Sequence, residues 1–565
     1  MKLQVLAVAA TLTLLNAAMP VCVDDPAYLA YAVEFLAHPL DPYGFEFGTP
    51  LVRPANLLLV PPVVPYWLAL GLSCFGENLL LLKMWLFPFA WILAASASAL
   101  LNRFAPSVRV PMLWMAVLSP TILPGFCFML DVPALALGLA AIALTIRATD
   151  RDSIRGMALA GLVAGLAIQT KYNAAVASAA IGVWCLLNRR FVGLAVAGGT
   201  AACVAVGWEW FVAVRSGESH FVVHFGQRKG SAAIRFVHLA LPTLSQFSGV
   251  AAAFAILGLR AAGSRWAFRL GLIVPLGVLV LILAPSQQPL ATSANGKPVL
   301  TISNLVYGSW ALLASISFMS ITLKLLRGGG IESRFLLAWF AFELAGCIAL
   351  SPFPATRRVL GLAFVFAILV ARTTHLAGLH PRTVRLAALA GIGYAGVFFT
   401  TLLMDTTAAR SAGLELARRE RGVVCHHLTW EGLNYCSTRE GLPQLQLNLR
   451  VPKVGDHLAV MDVSDLRGFV EIQPWIALER IDVIEIGDGF PLKSLPSFAS
   501  ERHRSSIARA PASACSSIAS SRSSSERQAE TGSSVDWRIG AASSITVIFT
   551  GPTTTGPSTS LARAA

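Results

Sequence analysis

The chain has 565 residues, of which 55% are hydrophobic and 13% are charged, and its formal net charge is +14. About a quarter of the residues of a soluble globular protein are charged, so this composition excludes an ordinary soluble domain. The positive charge does not indicate nucleic-acid binding, because the basic residues do not form one continuous face. They lie in six clusters between apolar runs: Arg103/Arg109, Arg147/Arg151/Arg155, Arg189/Arg190, Arg260/Arg265/Arg269, Lys324/Arg327/Arg334 and Arg372/Arg382/Arg385.

Apolar runs near the roughly 20 residues of a bilayer-crossing helix recur along the chain. They predict an α-helical transmembrane bundle of about 13 spans, at about 3–19, 78–101, 110–130, 132–146, 156–170, 174–187, 191–214, 236–259, 268–283, 301–325, 335–350, 359–371 and 386–404. With Lys2 inside, this count places all six basic clusters inside, as the positive-inside rule requires. We therefore predict a multi-pass protein that contacts membrane lipids and binds no nucleic acid.

The first apolar run has two interpretations. Lys2, a short apolar core and small residues before Pro20 also describe a cleavable signal peptide. We favour a retained helix, because cleavage would leave Asp24 close to a free amino terminus.

The composition divides the chain into three parts. Residues 1–404 form the predicted transmembrane domain, with a first outer loop at 21–77. Residues 405–500 mix charges with short apolar stretches, which predicts a small α/β domain, extracytoplasmic by the span count. Residues 501–565 are rich in Ser, Ala, Thr and Arg without apolar periodicity, which predicts a disordered tail.

Two adjacent carboxylates, Asp24 and Asp25, follow the first predicted helix directly. Acids at a membrane surface are costly to desolvate, so they indicate a role. One interpretation is a surface helix with Pro26 in its first turn and acids at its positive end. The other is a general base at headgroup level, which takes the proton of an acceptor hydroxyl.

Asp131 is a lone acid between two apolar runs, on the same predicted outer face. With Pro133 in the first turn, it fits the N-terminal cap of the next helix. It equally fits a functional acid, and the sequence leaves both interpretations open.

Cations are also predicted on this outer face, where topogenic charge is not expected. Lys171 ends a predicted helix, His220 lies in an outer loop, and Arg357 and Arg358 open a late helix. Guanidinium groups bind phosphate through two parallel hydrogen bonds. The alternative is that these side chains only reach the lipid headgroups. Acids and cations on one face predict a site for a phosphorylated lipid.

Several motifs resemble those of C-type membrane glycosyltransferases, which include protein O-mannosyltransferases and the lipid A aminoarabinose transferase. The segment DDPAY (24–28) is similar to their Asp-Glu-x-x-Tyr signature, and HPLDPYGF (38–45) resembles a phrase of a family-39-like bacterial branch. Further pieces in family order are Pro61-Pro62 with Tyr66, Asp131-Val132-Pro133, Lys171-Tyr172, Trp208-Glu209-Trp210 with His220, WEGLNY (430–435) and Gly455-Asp456. The resemblance covers roughly residues 1–490.

This resemblance implies an enzyme that transfers a hexose or pentose from a polyprenyl-phosphate donor to a hydroxyl of a glycan, lipid or protein, with inversion. Asp24 and Asp25 would be catalytic, with Asp24 as the general base. Asp25, Asp131 and Tyr28 would position the acceptor or a divalent cation, although no metal or other cofactor is assigned. Lys171, His220, Arg357 and Arg358 would stabilise the lipid phosphate that leaves. The implied location is the bacterial cytoplasmic membrane, with the site outside.

The competing class is a transporter or lipid flippase. Its mark would be ionisable residues inside helices and paired across repeats. Most acids of this chain lie at predicted helix ends, whereas Glu209 and Glu343 lie inside apolar runs, and Glu343 has no role in the enzyme interpretation.

Overall fold

The computed structural model describes residues 2–22, 24–48, 52–58, 60–226, 232–266, 269–270, 272–283, 302–328, 330–350, 355–420, 425–428, 431–442, 457–460, 477–486 and 543–551. Over these ranges the protein is mostly helical. Strands occur in a short ladder near the N-terminus and in one sheet near the C-terminus.

The first eleven described helices lie within residues 2–216. They are α1 (Lys2–Ala17), α2 (Asp25–Ala37), α3 (Val63–Phe75), α4 (Leu79–Met84), α5 (Phe87–Phe104), α6 (Arg109–Val117), α7 (Ile122–Gly125), α8 (Asp131–Asp150), α9 (Ile154–Ile168), α10 (Ala175–Leu187) and α11 (Phe191–Ser216). Two short antiparallel strands, β1 (Glu46–Phe47) and β2 (Arg53–Pro54), lie between α2 and α3.

Eight further described helices follow from residue 220 onwards. They are α12 (His220–Gly226), α13 (Ala232–Ala261), α14 (Ile273–Leu283), α15 (Ile302–Gly328), α16 (Gly330–Leu350), α17 (Leu360–Leu376), α18 (Pro381–Arg419) and α19 (Glu431–Arg439). Short 3₁₀ turns cover Ala55–Leu57, Pro106–Val108, Tyr172–Ala174 and Thr356–Val359.

Seven described helices are long and apolar enough to cross a membrane. They cover Leu79–Phe104, Asp131–Asp150, Phe191–Ser216, Gly308–Gly328, Gly330–Leu350, Thr356–Leu376 and Pro381–Arg419. Five shorter apolar helices cover Lys2–Ala17, Val63–Phe75, Ile154–Ile168, Tyr172–Leu187 and Gln246–Ala261. The predicted multi-pass helical character is confirmed, whereas the count of thirteen spans stays a prediction.

The run 110–130, predicted as one span, is not a continuous helix. Helix α6 ends at Val117, and the four-residue helix α7 follows only at Ile122. Pro120 and Pro124 lie in this interval. A proline inside a helix removes a backbone donor and clashes with the preceding turn, so the two prolines are the physical cause of the break.

Helix α17 lies inside the bundle, and helix α11 lies at its periphery. In the most apolar stretch of Thr356–Leu376, which includes α17, 78% of the residues are buried. In the corresponding stretch of α11 the buried share is 17%. Helix α11 packs on α9 at close range, since a Cβ atom at Gly161 would lie 2.3 Å from the carbonyl oxygen of Ala197. Its remaining faces expose apolar side chains such as Val206 and Trp210, as a lipid-facing helix requires.

The C-terminal sheet has the strand order β3-β4-β6-β5. The strands are β3 (Cys425–Leu428), β4 (His457–Val460), β5 (Ala477–Ile486) and β6 (Ser543–Gly551), and only the pair β3–β4 is parallel. Helix α18 continues to Arg419, beyond the predicted boundary at 404, and β6 lies within the predicted tail. Most of 405–500 and 501–565 lies outside the described residues, so the α/β domain and the disordered tail stay predictions.

Candidate active site

Asp24 immediately precedes α2, whose first turn contains Pro26. Its Oδ2 atom accepts a hydrogen bond from Nη1 of Arg357 at 2.5 Å. The side chain of Asp24 is 44% exposed, whereas that of Arg357 is 4% exposed. The pair therefore joins a carboxylate that solvent can reach to a buried guanidinium group.

Arg357 and Arg358 lie in the 3₁₀ turn that leads into α17. The hydroxyl of Thr356 donates to Oε1 of Gln246 on α13 at 2.6 Å. From the other side, the thiol of Cys347 on α16 donates to the carbonyl oxygen of Arg358 at 3.2 Å. Because two helices hold the turn, both arginine side chains leave it from a fixed backbone.

Asp131 and Lys171 form a buried ion pair between Oδ1 and Nζ. Asp131 is the first residue of α8, and Lys171 precedes the turn Tyr172–Ala174. The second oxygen of Asp131, Oδ2, is buried and has no hydrogen-bond partner among the described residues. Burial lowers the pKa of Lys171 to about 7, although the Asp131 carboxylate opposes the shift. A nearby anion would favour the charged form of this lysine.

These side chains surround a cavity of about 80 Å³. The charged cavity, as we name it, is lined by Asp131, Lys171, Glu343, Arg357 and Arg358. Three cations face two carboxylates here, so the lining carries a surplus of one positive charge when all are ionised. The structure thus brings together four residues predicted from three distant parts of the sequence. A small anionic group fits the sign of the charge.

Glu343 belongs to the charged cavity but had no predicted role. Nε1 of Trp339 donates to its Oε1 at 3.1 Å within α16. The carboxylate also lies against the backbone of α17, because a Cβ atom at Gly361 would be 2.2 Å from Oε2. Only glycine at position 361 leaves the carboxylate this space.

Tyr28 lies one turn after Asp24, and its backbone N–H donates to the carbonyl oxygen of Asp24 at 3.2 Å. Burial and then the Asp24 carboxylate raise the pKa of Tyr28 well above its usual value. The Asp131 carboxylate and both arginines also act on this phenol. Tyr28 therefore stays protonated beside the charged cavity and remains a hydrogen-bond donor.

Asp25 points away from this region and is 0% exposed. The backbone N–H of Cys22 donates to its Oδ2 at 3.2 Å, and Cys127 lies close by. Burial raises the pKa of Asp25 to about 6. Asp24 precedes α2, whereas Asp25 is its first residue, and the described contacts of the two side chains differ. Asp25 does not line the charged cavity.

His220 is buried in a different set of contacts. Its Nε2 donates to the carbonyl oxygen of Leu58, and its Nδ1 lies 3.0 Å from the hydroxyl of Tyr172. That hydroxyl also donates to Oε1 of Glu209 at 2.6 Å. Burial lowers the pKa of His220, which favours its neutral form. His220 does not line the charged cavity; it holds Tyr172, the residue after Lys171.

Glu209 belongs to the same group of contacts as His220 and Tyr172, and the sequence analysis assigned it no role. Besides Tyr172, it accepts hydrogen bonds from the hydroxyl of Ser219 and the backbone N–H of Phe221, both at 2.9 Å. It therefore fixes the segment that carries His220. Its position within the apolar run of α11 was the available signal.

No protein-family model matches the chain, and no curated protein sequence matches it. Solved structures with a similar fold include the apo oligosaccharyltransferase of Archaeoglobus fulgidus, at 12% identity and a TM-score of 0.46, over 79% of this chain and 64% of that one. They also include ArnT of Cupriavidus metallidurans in the apo state, at 13% identity and 0.38, and bound to undecaprenyl phosphate, at 15% and 0.39. Both ArnT matches cover 85% of this chain and 95% of ArnT.

The chain spans less than two thirds of the oligosaccharyltransferase. At these identities and TM-scores the likeness concerns helical architecture and assigns no role to any residue of this chain.

Proposed function

We propose that this protein is an integral membrane glycosyltransferase that moves a sugar from a polyprenyl-phosphate donor to an acceptor hydroxyl, with inversion. One observation carries the proposal: the partly exposed Asp24 carboxylate is joined through Arg357 to a cavity that also contains Lys171 and Arg358. A base that solvent can reach and a buried anion site are thus one hydrogen bond apart. Inverting transfer from a lipid phosphate needs both groups.

The charged cavity suits the phosphate of the donor. Phosphate oxygens accept strong hydrogen bonds from guanidinium and ammonium groups. Arg357, Arg358 and Lys171 supply such donors from two sides of the cavity, from the turn before α17 and from the segment before α10. Negative charge grows on the phosphate as the sugar leaves, and fixed cations stabilise that charge most where water is excluded.

Asp24 is the proposed general base. The acceptor hydroxyl attacks the anomeric carbon opposite the phosphate, a new C–O bond forms, and the bond to the phosphate oxygen breaks. Asp24 takes the hydroxyl proton and later returns it to water, so the phosphate leaves with the bonding electron pair. Its 44% exposure gives an acceptor a path to the carboxylate.

Arg357 is shared between the two proposed roles. Its guanidinium has several N–H donors in a planar fork, and Nη1 donates to Oδ2 of Asp24. Arg357 also lines the charged cavity, so we propose that one side chain both orients Asp24 and adds its positive charge to the phosphate site. Tyr28 is a neutral donor near the same carboxylate and is proposed to position the acceptor.

The donor lipid and the location are parts of the proposal. Undecaprenyl phosphate, found with ArnT of Cupriavidus metallidurans, is one lipid of the proposed class. We place the protein in the bacterial cytoplasmic membrane with the charged cavity and the C-terminal sheet on the outer side. The acceptor would be a glycan, lipid or protein hydroxyl.

A lipid transporter or flippase is the second candidate, and Glu343 is the observation that favours it. An ionisable residue inside a membrane helix is expensive to bury and usually marks a substrate or proton path. Glu343 is partly buried within α16 and lines the same cavity as the cations. A flippase would use this cavity for binding and release without breaking the sugar–phosphate bond.

The test uses purified protein in lipid vesicles with a panel of radiolabelled polyprenyl-phosphate sugars and mixed acceptors. Loss of sugar from the lipid is measured for the wild type and for Asp24→Asn. We expect turnover by the wild type and collapse in the variant with donor binding retained. Translocation of lipid across the vesicle without sugar loss would instead establish the flippase.

A further inference from the structure

A second group of chemically reactive side chains lies outside the charged cavity. The thiol cluster, as we name it, consists of Cys22, Asp25 and Cys127. One ligand atom of each residue, two sulfurs and a carboxylate oxygen, lies within 4.8 Å of the others. All three residues are buried, with exposures of 1%, 0% and 1%. Sγ of Cys22 lies 3.8 Å from Oδ2 of Asp25.

The spacing is close to that of a metal site. Zinc binds thiolate sulfur at about 2.3 Å and carboxylate oxygen at about 2.0 Å in tetrahedral geometry. Two such ligands are therefore about 3.5 Å apart, against the observed 3.8 Å between Cys22 and Asp25. This pair would need a shift of a few tenths of an ångström. The other ligand atoms lie within 4.8 Å of one another, so they would need to approach by up to about 1 Å to match zinc-bound ligands.

The carboxylate of Asp25 accepts a hydrogen bond from the backbone N–H of Cys22, and the thiol of Cys127 and the backbone N–H of Phe128 also act on it as donors. Its Oδ1 atom is buried and makes no hydrogen bond of good geometry among the described residues. A buried carboxylate is stable only when it is paired, hydrogen-bonded or bound to a metal. The nearby Lys83 acts on Asp25 through its charge, but its Nζ donates to the carbonyl oxygens of Met19 and Pro20. A metal ion between Asp25 and the two sulfurs would supply the missing contact.

The charges of the thiol cluster balance when zinc is included. Two thiolates and one carboxylate are three negative charges; a zinc ion brings two positive charges, and Lys83 brings the third. Lys83 is buried, 3% exposed, and acts electrostatically on both Asp25 and Cys127. Buried charge groups persist when their charges are matched and their atoms are coordinated. In the described contacts Lys83 is otherwise held by two carbonyl oxygens and by the ring of Phe128, 5.6 Å away.

We propose that Cys22, Asp25 and Cys127 bind one zinc ion. Zinc fits this mixed set of two thiolates and a carboxylate, which it binds in tetrahedral sites with three or four protein ligands. Binding displaces one proton from each thiol to solvent. The ion would join the segment after α1, the first turn of α2 and the segment between α7 and α8. Because Asp24 is adjacent to Asp25, the zinc site fixes the backbone that presents Asp24.

The experiment uses full-length protein in detergent, stripped with a chelator and titrated with Co²⁺ alone. We expect one cobalt per chain and a thiolate-to-cobalt charge-transfer absorption, both lost in the double variant Cys22→Ser/Cys127→Ser. The matched control is Cys74→Ser/Cys203→Ser, because both of these cysteines are exposed. The control should keep both signals. Asp25→Asn should weaken cobalt binding by at least about tenfold.

The same preparation also tests the wild type without any variant. Elemental analysis of protein isolated without chelator should find one zinc per chain, and alkylation of Cys22 and Cys127 should require chelator. A disulfide between Cys22 and Cys127 in metal-free isolated protein would overturn the proposal. Cobalt that binds without a charge-transfer absorption, or equally in both double variants, would also overturn it.

Discussion

Asp24 and Asp25 are adjacent in the chain but belong to two different environments. Asp24 is 44% exposed and pairs with an arginine, whereas Asp25 is 0% exposed and lies between two thiols. The first environment is open to solvent, as a proton-transfer group requires. The second is enclosed, as is usual for a group that stabilises the fold. The pair teaches that two identical, adjacent side chains at the start of one helix can have different surroundings, because Asp24 precedes α2 and Asp25 is its first residue.

The largest expected effect is on sugar transfer, and it should distinguish substitution of Asp24 from substitution of Asp25. Asp24→Asn should lower sugar transfer by about 10²–10⁴-fold, because a general base is lost while the shape is kept. The measurement is release of labelled sugar from a polyprenyl-phosphate donor. Asp25→Asn should chiefly change the metal content and the unfolding temperature. Glu34→Gln, on the same helix, is the matched control and should leave transfer unchanged. Full sugar transfer by the Asp24→Asn variant would contradict the proposal that Asp24 is the general base.

Arg357→Met should give the next largest effect, on donor binding. Loss of charge-assisted hydrogen bonds worth about 1.5–3 kcal/mol predicts a donor affinity about 10–100-fold lower. The measurement is equilibrium binding of a polyprenyl-phosphate sugar in vesicles. The control is Arg372→Met, because Arg372 lies at the other end of α17 and pairs with Glu332 at 2.9 Å. Equal losses in both variants would show general destabilisation and contradict the phosphate role.

Gly361→Ala tests the close fit of the charged cavity. The added methyl group would meet the Glu343 carboxylate at 2.2 Å, and overpacking of this kind costs about 1–3 kcal/mol. The free energy of unfolding should fall by that amount in a denaturant titration. In a Glu343→Ala background the same change should cost much less. An equal cost in both backgrounds would place the strain elsewhere.

The smallest effect concerns pH. Burial lowers the pKa of Lys171 to about 7, so this lysine is charged below pH 7 and loses its proton as the pH rises through it. The charged fraction of Lys171 falls about tenfold between pH 6 and pH 8, so donor affinity should fall by up to about tenfold over this range. A phosphodiester donor does not titrate in this range. Lys171→Arg should remove the dependence, and persistence of the pH effect in that variant would exclude Lys171 as its source.

Much of the charged cavity could be predicted from sequence. Asp131, Lys171, Arg357 and Arg358 are ionisable residues at the ends of apolar runs, where charge is costly without a role. Glu343 also gave a signal, but a helix position alone does not show which neighbour a carboxylate faces. Its place in the cavity depends on Gly361, which lies one helix further along the chain.

Other features required tertiary information. The different environments of Asp24 and Asp25 depend on Cys127, which is about a hundred residues away and meets Asp25 only in the folded chain. His220 was predicted to stabilise the lipid phosphate, yet its described contacts are with Leu58 and Tyr172, and it does not line the charged cavity. The apolar pattern of residues 110–130 continues through Pro120 and Pro124. The sequence analysis therefore predicted one span where the helix breaks between α6 and α7.

Helix α18 has a mechanical consequence. Its 39 residues rise about 58 Å at 1.5 Å per residue, roughly twice the thickness of a bilayer's hydrocarbon core. About half of the helix therefore extends beyond the lipid, where α19 and β5 pack against it. Each residue added to or removed from that half would rotate the attached elements by about 100° and move them by 1.5 Å. The length of one helix thus sets both the distance of the C-terminal sheet from the membrane and its rotational orientation about the helix axis.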